Sequence, residues 1–307
     1  MSKSFSTKPK LIVIVGSTAS GKSALAIKIA RKFNCEIVSA DSRQIYRRMD
    51  IGTAKPPKKE MDEIKHNLID IKNPNEEYTV ADYKKDAVKA IGKIIKDGKL
   101  PILAGGTGLY IKAVVENLKI PEVKPNPALR KKLERRIGKE GLEKLFRELV
   151  EFDPEAAYIV DGKNPRRVIR ALEIALTTKK PFSAQRKKGE PLFDALKIGI
   201  TIPWEKLREK IETRVDEMVK DGLVNEVDGL IRKYGNKQIA FDAIGYREII
   251  SYLNGNITLP EATELIKKNT SAFAKRQMTW FGKDKEIKWI KNEKEAVALV
   301  KKFLHKM

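Results

Sequence analysis

Leu11-Ile12-Val13-Ile14-Val15 runs straight into Gly16-Ser17-Thr18-Ala19-Ser20-Gly21-Lys22-Ser23, and Ala24-Leu25-Ala26-Ile27-Lys28-Ile29-Ala30 follows. The octet fits G-x-x-x-x-G-K-[ST], the loop that holds phosphates between a buried strand and a helix. Its two glycines let the backbone curl with N–H groups pointing inward, and the following helix adds its N-terminal partial positive charge. Lys22 is then placed to reach the terminal phosphates, and the Ser23 hydroxyl to ligate Mg2+. All eight positions, Gly16 to Ser23, are candidate phosphate-binding residues. The loop alone specifies a diphosphate or a triphosphate without separating them, so ATP-binding stays open on this ground.

Outward from the loop, strand and helix alternate as in a doubly wound parallel sheet. The pattern predicts a helix from about Lys22 to Phe33 and a strand at Glu36–Ala40 that ends on Asp41-Ser42-Arg43-Gln44. A Pro- and Lys-rich loop around Thr53–Pro57 leads to a short strand at Asn67–Asp70. Thr79 with Asp82 reads as a capping box for a helix to about Lys96. The strand Leu100–Ala104 then delivers Gly105-Gly106-Thr107-Gly108 ahead of a helix from Leu109 to about Asn117.

The pattern changes at Lys119. From there to Pro191 only helical periodicity is present, and Lys and Arg outnumber Asp and Glu by 19 to 11. Pro121, Pro125 and Pro127 mark the entry; Pro181 and Gly189-Glu190-Pro191 mark the exit. Asn164-Pro165 supplies an N-cap and an N1 proline to the helix that starts Arg166-Arg167-Val168-Ile169-Arg170. A strand at Leu196–Ile202 returns to the sheet. Helices follow at about Trp204–Asp221, Leu223–Lys233, Ala243–Leu253 and Pro260–Thr279, then an apolar stretch at Glu286–Ile290 and a terminal helix. The expected architecture is α/β: a P-loop doubly wound parallel sheet core with C-terminal helices (1–118 and 192–307), carrying an all-helical insertion (119–191).

With 307 residues the chain has room for a large core and a second lobe. Its 41% hydrophobic and 34% charged content is that of a soluble globular protein. No apolar run approaches the ~20 residues that a bilayer crossing needs. Met1 to Lys10 lacks the apolar stretch of a signal peptide. A lone cysteine, Cys35, excludes a disulfide within the chain, and with only His66 and His305 no Cys/His zinc site is expected. These features predict a cytoplasmic protein with no membrane partner. The net charge of +22, from 63 basic and 41 acidic residues, points to a polyanion such as nucleic acid. A lysine-rich, merely solvated surface has the same composition.

Ligands of open α/β sheets sit outside the carboxyl ends of the strands, so residues at other strand ends share the loop's crevice. Asp41 and Thr107 qualify. Asp41 suits a general base or the magnesium-holding carboxylate of an ATPase, against the plainer reading of a solvated strand-end Asp. Thr107 lies in a glycine turn that admits close approach to a ligand, or is a turn residue only. His66 and Cys35 read as structural. Val168, Ile169, Leu172 and Ile174 carry helix-core spacing. Arg166, Arg167 and Arg170 share one turn of a basic helix, which suits phosphate contacts or a solvated face. Lys275-Arg276-Gln277 precede Trp280-Phe281. Cations beside aromatics serve single-stranded RNA, although Trp280 also fits a helix core.

Taken in order, these segments resemble the tRNA dimethylallyltransferase family, also called tRNA isopentenyltransferases. The resemblance rests on Gly16–Ser23, on Asp41–Tyr46 running into Met49–Pro56, and on His66–Asp70, Gly105–Tyr110 and Arg166–Glu173. It continues through Arg214, Met218, Gly222-Leu223, Glu226, Gly245-Tyr246 and Ala274–Gln277 before Thr279-Trp280, and so spans about residues 11 to 281. Many unrelated enzymes share the phosphate loop; the Asp41-to-Pro56 block is specific. Ser17 stands where the family usually has Pro, Ser23 where it has Thr, and Ser271 where it has Arg.

The resemblance implies transfer of a dimethylallyl group from dimethylallyl diphosphate to the exocyclic N6 amine of the adenosine 3′-adjacent to the anticodon in tRNA, with release of diphosphate. It implies that Asp41 is the base on that amine and that Thr107 and Arg214 help to hold the substrates. The loop then binds diphosphate rather than ATP, with Mg2+ on Ser23, and the insertion grips the tRNA anticodon stem-loop. The implied tRNA contacts are Asp41, Ser42, Arg43, Gln44, Thr107, Arg130, Arg166, Arg167, Val168, Ile169, Arg170, Lys275, Arg276 and Gln277. A monomer is expected. The chemistry is compatible: a stacked base must be flipped out to react, and a departing diphosphate needs cations such as Lys22, Mg2+ and Arg214. Two rivals remain. A small-molecule kinase or ATPase predicts triphosphate turnover and has no use for a basic helical insertion. An RNA-binding module with a vestigial loop tolerates loss of Lys22 or Asp41, and both are present.

Overall fold

The apolar run after Pro9 forms the central strand β1 (Lys10–Val15), whose Leu11 to Ile14 are fully buried. Burial on both faces is what a strand inside a parallel sheet requires. The computed structural model describes residues 8–305 other than 122 and 186. The signal-peptide reading of Met1 to Lys10 therefore concerns mainly residues outside the described set.

After β1 come α1 (Lys22–Phe33), β2 (Cys35–Ser39), α2 (Lys58–Glu63), β3 (His66–Asn67), α3 (Val80–Lys96), β4 (Leu100–Gly105) and α4 (Gly108–Val115). Thr79 accepts from Asp82 N–H while the Asp82 carboxylate accepts from Thr79 N–H, so the capping box starts α3 as expected. The strand expected at Asn67–Asp70 stops early. Leu68 (φ 65°) and Asp70 (φ 54°) take left-handed backbone, which cannot extend a ladder. The Pro- and Lys-rich loop contains the short helix α2, which no periodicity announces.

The chain splits into two compact units, residues 1–115 with 192–307, and Glu116–Pro191. Among its described residues the second unit consists of α5 (Pro127–Glu140), α6 (Leu142–Phe152), α7 (Ala156–Ile159) and α8 (Pro165–Thr178), with a 3-10 turn at Ser183–Gln185. Asn126 and Asn164 cap α5 and α8 through their side chains, each ahead of an N1 proline. Leu133, Leu145, Leu149 and Val168 form a core that belongs to this unit alone.

The larger unit resumes with β5 (Asp194–Ile200), α9 (Trp204–Lys220), α10 (Leu223–Tyr234), α11 (Tyr246–Leu253), α12 (Leu259–Phe281), β6 (Lys288–Ile290) and α13 (Glu293–Leu304). The start expected at Ala243 for α11 moves to Tyr246, because Gly245 sits at φ 96° and its N–H is taken by the Glu248 carboxylate. The six strands run in the order β3-β2-β4-β1-β5-β6, every pair parallel. Apolar clusters cover both faces of this α/β sheet. A third cluster packs α9 to α12 together with Ile45, Tyr46 and Met49 from the loop after β2. Because β2, β4 and β1 are parallel neighbours, the loops leaving them open side by side. Among the described residues no helix is long and apolar enough to cross a membrane.

Candidate active site

The loop after β1 is shaped by Gly21, whose φ of +87° is left-handed backbone that side chains rarely adopt. No side chain caps α1, so its first-turn N–H groups remain for a ligand. Lys22 Nζ donates to Ser17 O at 3.2 Å. Burial pulls the Lys22 amine down to about 8, with Asp41 opposing that shift and Arg214 adding to it. Arg214, from α9, donates through Nη2 to Thr18 Oγ1 at 2.5 Å. Burial lowers its pKa as well, against the nearby Asp41 charge. Ser20 Oγ and Arg214 Nε are buried with no hydrogen-bond partner. Unsatisfied buried donors beside uncapped N–H groups are what an anion would complete.

The loop after β2 brings Asp41. Its Oδ1 accepts from Arg43 N–H at 2.9 Å, which fixes the carboxylate at the strand end. The loop after β4 is pressed against it: a Cβ on Gly105 would lie 2.2 Å from Ala40 O, so only glycine permits this approach. Thr107 N–H donates to Ala40 O, and Thr107 Oγ1 accepts from Ser42 N–H at 3.0 Å. Asp41, Ser42, Thr107, Thr18 and Arg214 thus line one cavity of ≈ 310 Å³. Ser23 is exposed in the first turn of α1.

Several residues assigned to tRNA also bond within the protein. Gln277 is only 6% exposed, and its side chain accepts from Thr18 N–H at 2.8 Å and donates to Gly106 O at 2.9 Å. It therefore joins two loops of the site while also lining the cavity. Gln44 donates to Thr53 O and Ala54 O and accepts from Ser39 Oγ, all within the protein. Arg43 lines the cavity while donating to Ile239 O and Ala240 O. Val168 and Ile169, at 0% and 7% exposure, are core side chains, because the face of α8 that carries them packs inward.

Arg130 and Arg170 also turn inward, onto the fully buried carboxylate of Glu173. Arg130 donates to it through Nε and Nη2 at 2.9 and 2.8 Å; Arg170 donates through Nη1 and sends Nη2 to Val123 O. Burial works to raise the Glu173 pKa, but hydrogen bonds from Arg130, Asn126 N–H and Arg170 outweigh it and hold the carboxyl below its usual range. Arg167 differs: it is 61% exposed and only approaches Asp161, at 3.9 Å. Arg166 precedes it, also exposed, in the first turn of α8. Lys275 lies over the Trp204 ring, whereas Arg276 lines the cavity beside Phe273.

The sequence reading missed the wall formed by Met218 and by Asp242, Ala243, Ile244 and Arg247. The only local signal there was a glycine, Gly245, ahead of an amphipathic helix. Glu226 was likewise unassigned. Its carboxylate accepts from the N–H groups of Asp50, Ile51 and Gly52 and from Tyr246 Oη, so it braces the loop after β2 against α10 and α11.

Comparison with known proteins identifies the family. The family model described as IPP transferase matches residues 44–284. A tRNA dimethylallyltransferase of Acetivibrio thermocellus is 48% identical over 287 residues, 92% of each chain. One from Carboxydothermus hydrogenoformans is 44% identical, over 94% of each chain. The crystal structure of the full-length tRNA isopentenylpyrophosphate transferase of Bacillus halodurans superposes with a TM-score of 0.72 at 38% identity, covering 97% of this chain and 96% of that one. A eukaryotic dimethylallyltransferase described as acting on tRNA gives a TM-score of 0.81 at 28% identity, covering 96% of this chain and 79% of the other. With a single family spanning the phosphate loop's neighbours, the cavity wall and the helical unit alike, the chain belongs to the IPP transferase family, that of the tRNA dimethylallyltransferases.

Proposed function

We propose that this enzyme transfers the dimethylallyl group of dimethylallyl diphosphate to the exocyclic N6 amine of the adenosine 3′-adjacent to the anticodon in tRNA, and that it does so in the cavity at the ends of β1, β2 and β4. The observation that carries the reading is the grouping of the Asp41 carboxylate with Thr107, Lys22 and Arg214 around a phosphate loop. That set has an anion end and, beside it, a carboxylate held at the end of β2.

The diphosphate occupies the loop, against the N–H groups of the first turn of α1, Lys22 and Arg214. The flipped adenine enters toward Asp41 and Thr107. Its N6 attacks the carbon that bears the diphosphate; the C–O bond breaks, its electron pair leaves with the diphosphate, and the amine proton passes to Asp41. Lys22 and Arg214 stabilise the charge as it gathers on the leaving oxygens.

Among the described residues no group of three or more His, Cys, Asp or Glu is placed to hold a metal. An exposed hydroxyl such as Ser23 fits an ion that takes its other ligands from phosphate oxygens and water, as Mg2+ does. When bound, Mg2+ supplies further neutralisation of the diphosphate. One copy of the chain carries the whole set, so a cytoplasmic monomer suffices, with the basic helical unit taking the anticodon stem-loop through Arg167 and Arg166. Replacing Asp41 by Ala tests the assignment. Turnover should fall by about 10²–10⁴ with tRNA affinity nearly unchanged; near-normal turnover would remove Asp41 from the reaction.

A further inference from the structure

The cavity changes character along α9. Arg214 meets the phosphate loop through Thr18, whereas Val215 and Met218 present apolar surface to the same space. Four residues of α-helix advance ~6 Å, one turn, so Met218 lies on the Arg214 face one turn further from the loop. That separation matches the reach of a short allyl chain whose diphosphate is held at Arg214. Ile266 of α12 lines the same cavity.

Met218 also joins the cavity to the packed helical core. It is 9% exposed and sits at the edge of the helical cluster, where Ile211, Leu223 and Val227 behind it are buried to 1% or less. A methionine suits such a position, since its flexible thioether fills an irregular end without polar demands.

We propose that Met218 sets the length of the prenyl chain this enzyme accepts. A five-carbon chain ends against the Met218 thioether, and a ten-carbon chain has no room until that side chain is shortened. The inference rests on the prenyl-transfer reading above. It gives one side chain, absent from the chemistry, the role of a length gate.

The test compares dimethylallyl diphosphate with geranyl diphosphate, each with a tRNA anticodon stem-loop as acceptor, in wild type and in Met218→Ala, Met218→Val and Met218→Leu. Pocket discrimination over added methylenes runs to about 10–200-fold, so Met218→Ala should raise the geranyl-to-dimethylallyl ratio of kcat/KM by about tenfold or more. Met218→Val should raise it less, and Met218→Leu, of similar reach, should leave it near wild type. Thermal melting identifies a variant that fails to fold, and the Val variant carries the test if Ala does.

A ratio that stays within about threefold of wild type in the folded Ala and Val variants overturns the gate. A rise in KM for the RNA with an unchanged donor ratio does so too, and assigns the apolar wall to the adenine. A wild type that uses neither donor overturns the function reading itself, which distinguishes that failure from failure of the gate.

Discussion

The backbone N–H of Thr18 is held by Gln277 Oε1 at 2.8 Å, and the other end of the same amide reaches Gly106 O at 2.9 Å. A single side chain on α12 therefore spans the phosphate loop and the turn that carries Thr107. Arg214 holds Thr18 from its hydroxyl side. This bridge holds the phosphate loop against the turn that carries Thr107, and Gln277 lines the cavity between them. Gln277→Ala should lower kcat about 10–100-fold, the scale of a small misplacement of reacting groups, with tRNA Kd within twofold. Weakened tRNA binding with normal kcat would instead make Gln277 an RNA contact.

Lys22 gives the site a pH signature. With its amine at about 8 in the free enzyme, the positive charge that meets the diphosphate is present below that pH and lost above it. Diphosphate binding favours the charged amine, so affinity should fall as pH rises through 8, by up to about tenfold per unit, and binding near pH 8.5 should take up a proton. The stability sign is opposite. The unfolded chain, with its higher Lys pKa, binds more protons between about 8 and 10.5, so stability of the free enzyme rises with pH across that window. Calorimetry in buffers of different ionisation enthalpy reads the proton directly; none taken up would refute this account of Lys22.

The helical unit divides its arginines by partner. Arg167→Ala should weaken tRNA binding about equally across tRNA species and reduce the slope of log K against log salt by about one unit. Arg130→Ala should leave that slope unchanged. It strips two hydrogen bonds from the buried Glu173 carboxylate and should instead cost about 1–3 kcal/mol of stability. Filter binding at several salt concentrations, paired with thermal melting, separates the two. A slope change in Arg130→Ala with no loss of stability would reverse the assignment.

Much of this arrangement is legible in the sequence because it follows from local rules. The loop Gly16–Ser23, the capping box at Thr79 and the Asn-Pro start of α8 each declare themselves within a few residues. Asp41 and Thr107 follow from the rule that parallel strands end on one edge. What stays hidden depends on which distant side chain meets which. Gln277 looks like part of a basic, aromatic RNA-facing run until α12 packs and turns it under the phosphate loop. Arg130 and Arg170 look like phosphate contacts until Glu173, 43 residues from Arg130, is seen buried between them. Met218 enters the resemblance without a role, since its place in the cavity is set by the packing of α9 against α12.

The central claim is that the phosphate loop serves a prenyl diphosphate and that the prenyl group goes to RNA. It is tested by incubating the enzyme with tRNA and either dimethylallyl diphosphate labelled in the prenyl group or ATP labelled in the γ-phosphate, then separating protein, RNA and free label. The account predicts that prenyl label enters RNA, is recovered on one adenosine 3′ of the anticodon, and requires no ATP. Release of γ-phosphate stimulated by tRNA, with no prenyl label in RNA, would contradict it and place the chain with the ATPases that share its loop.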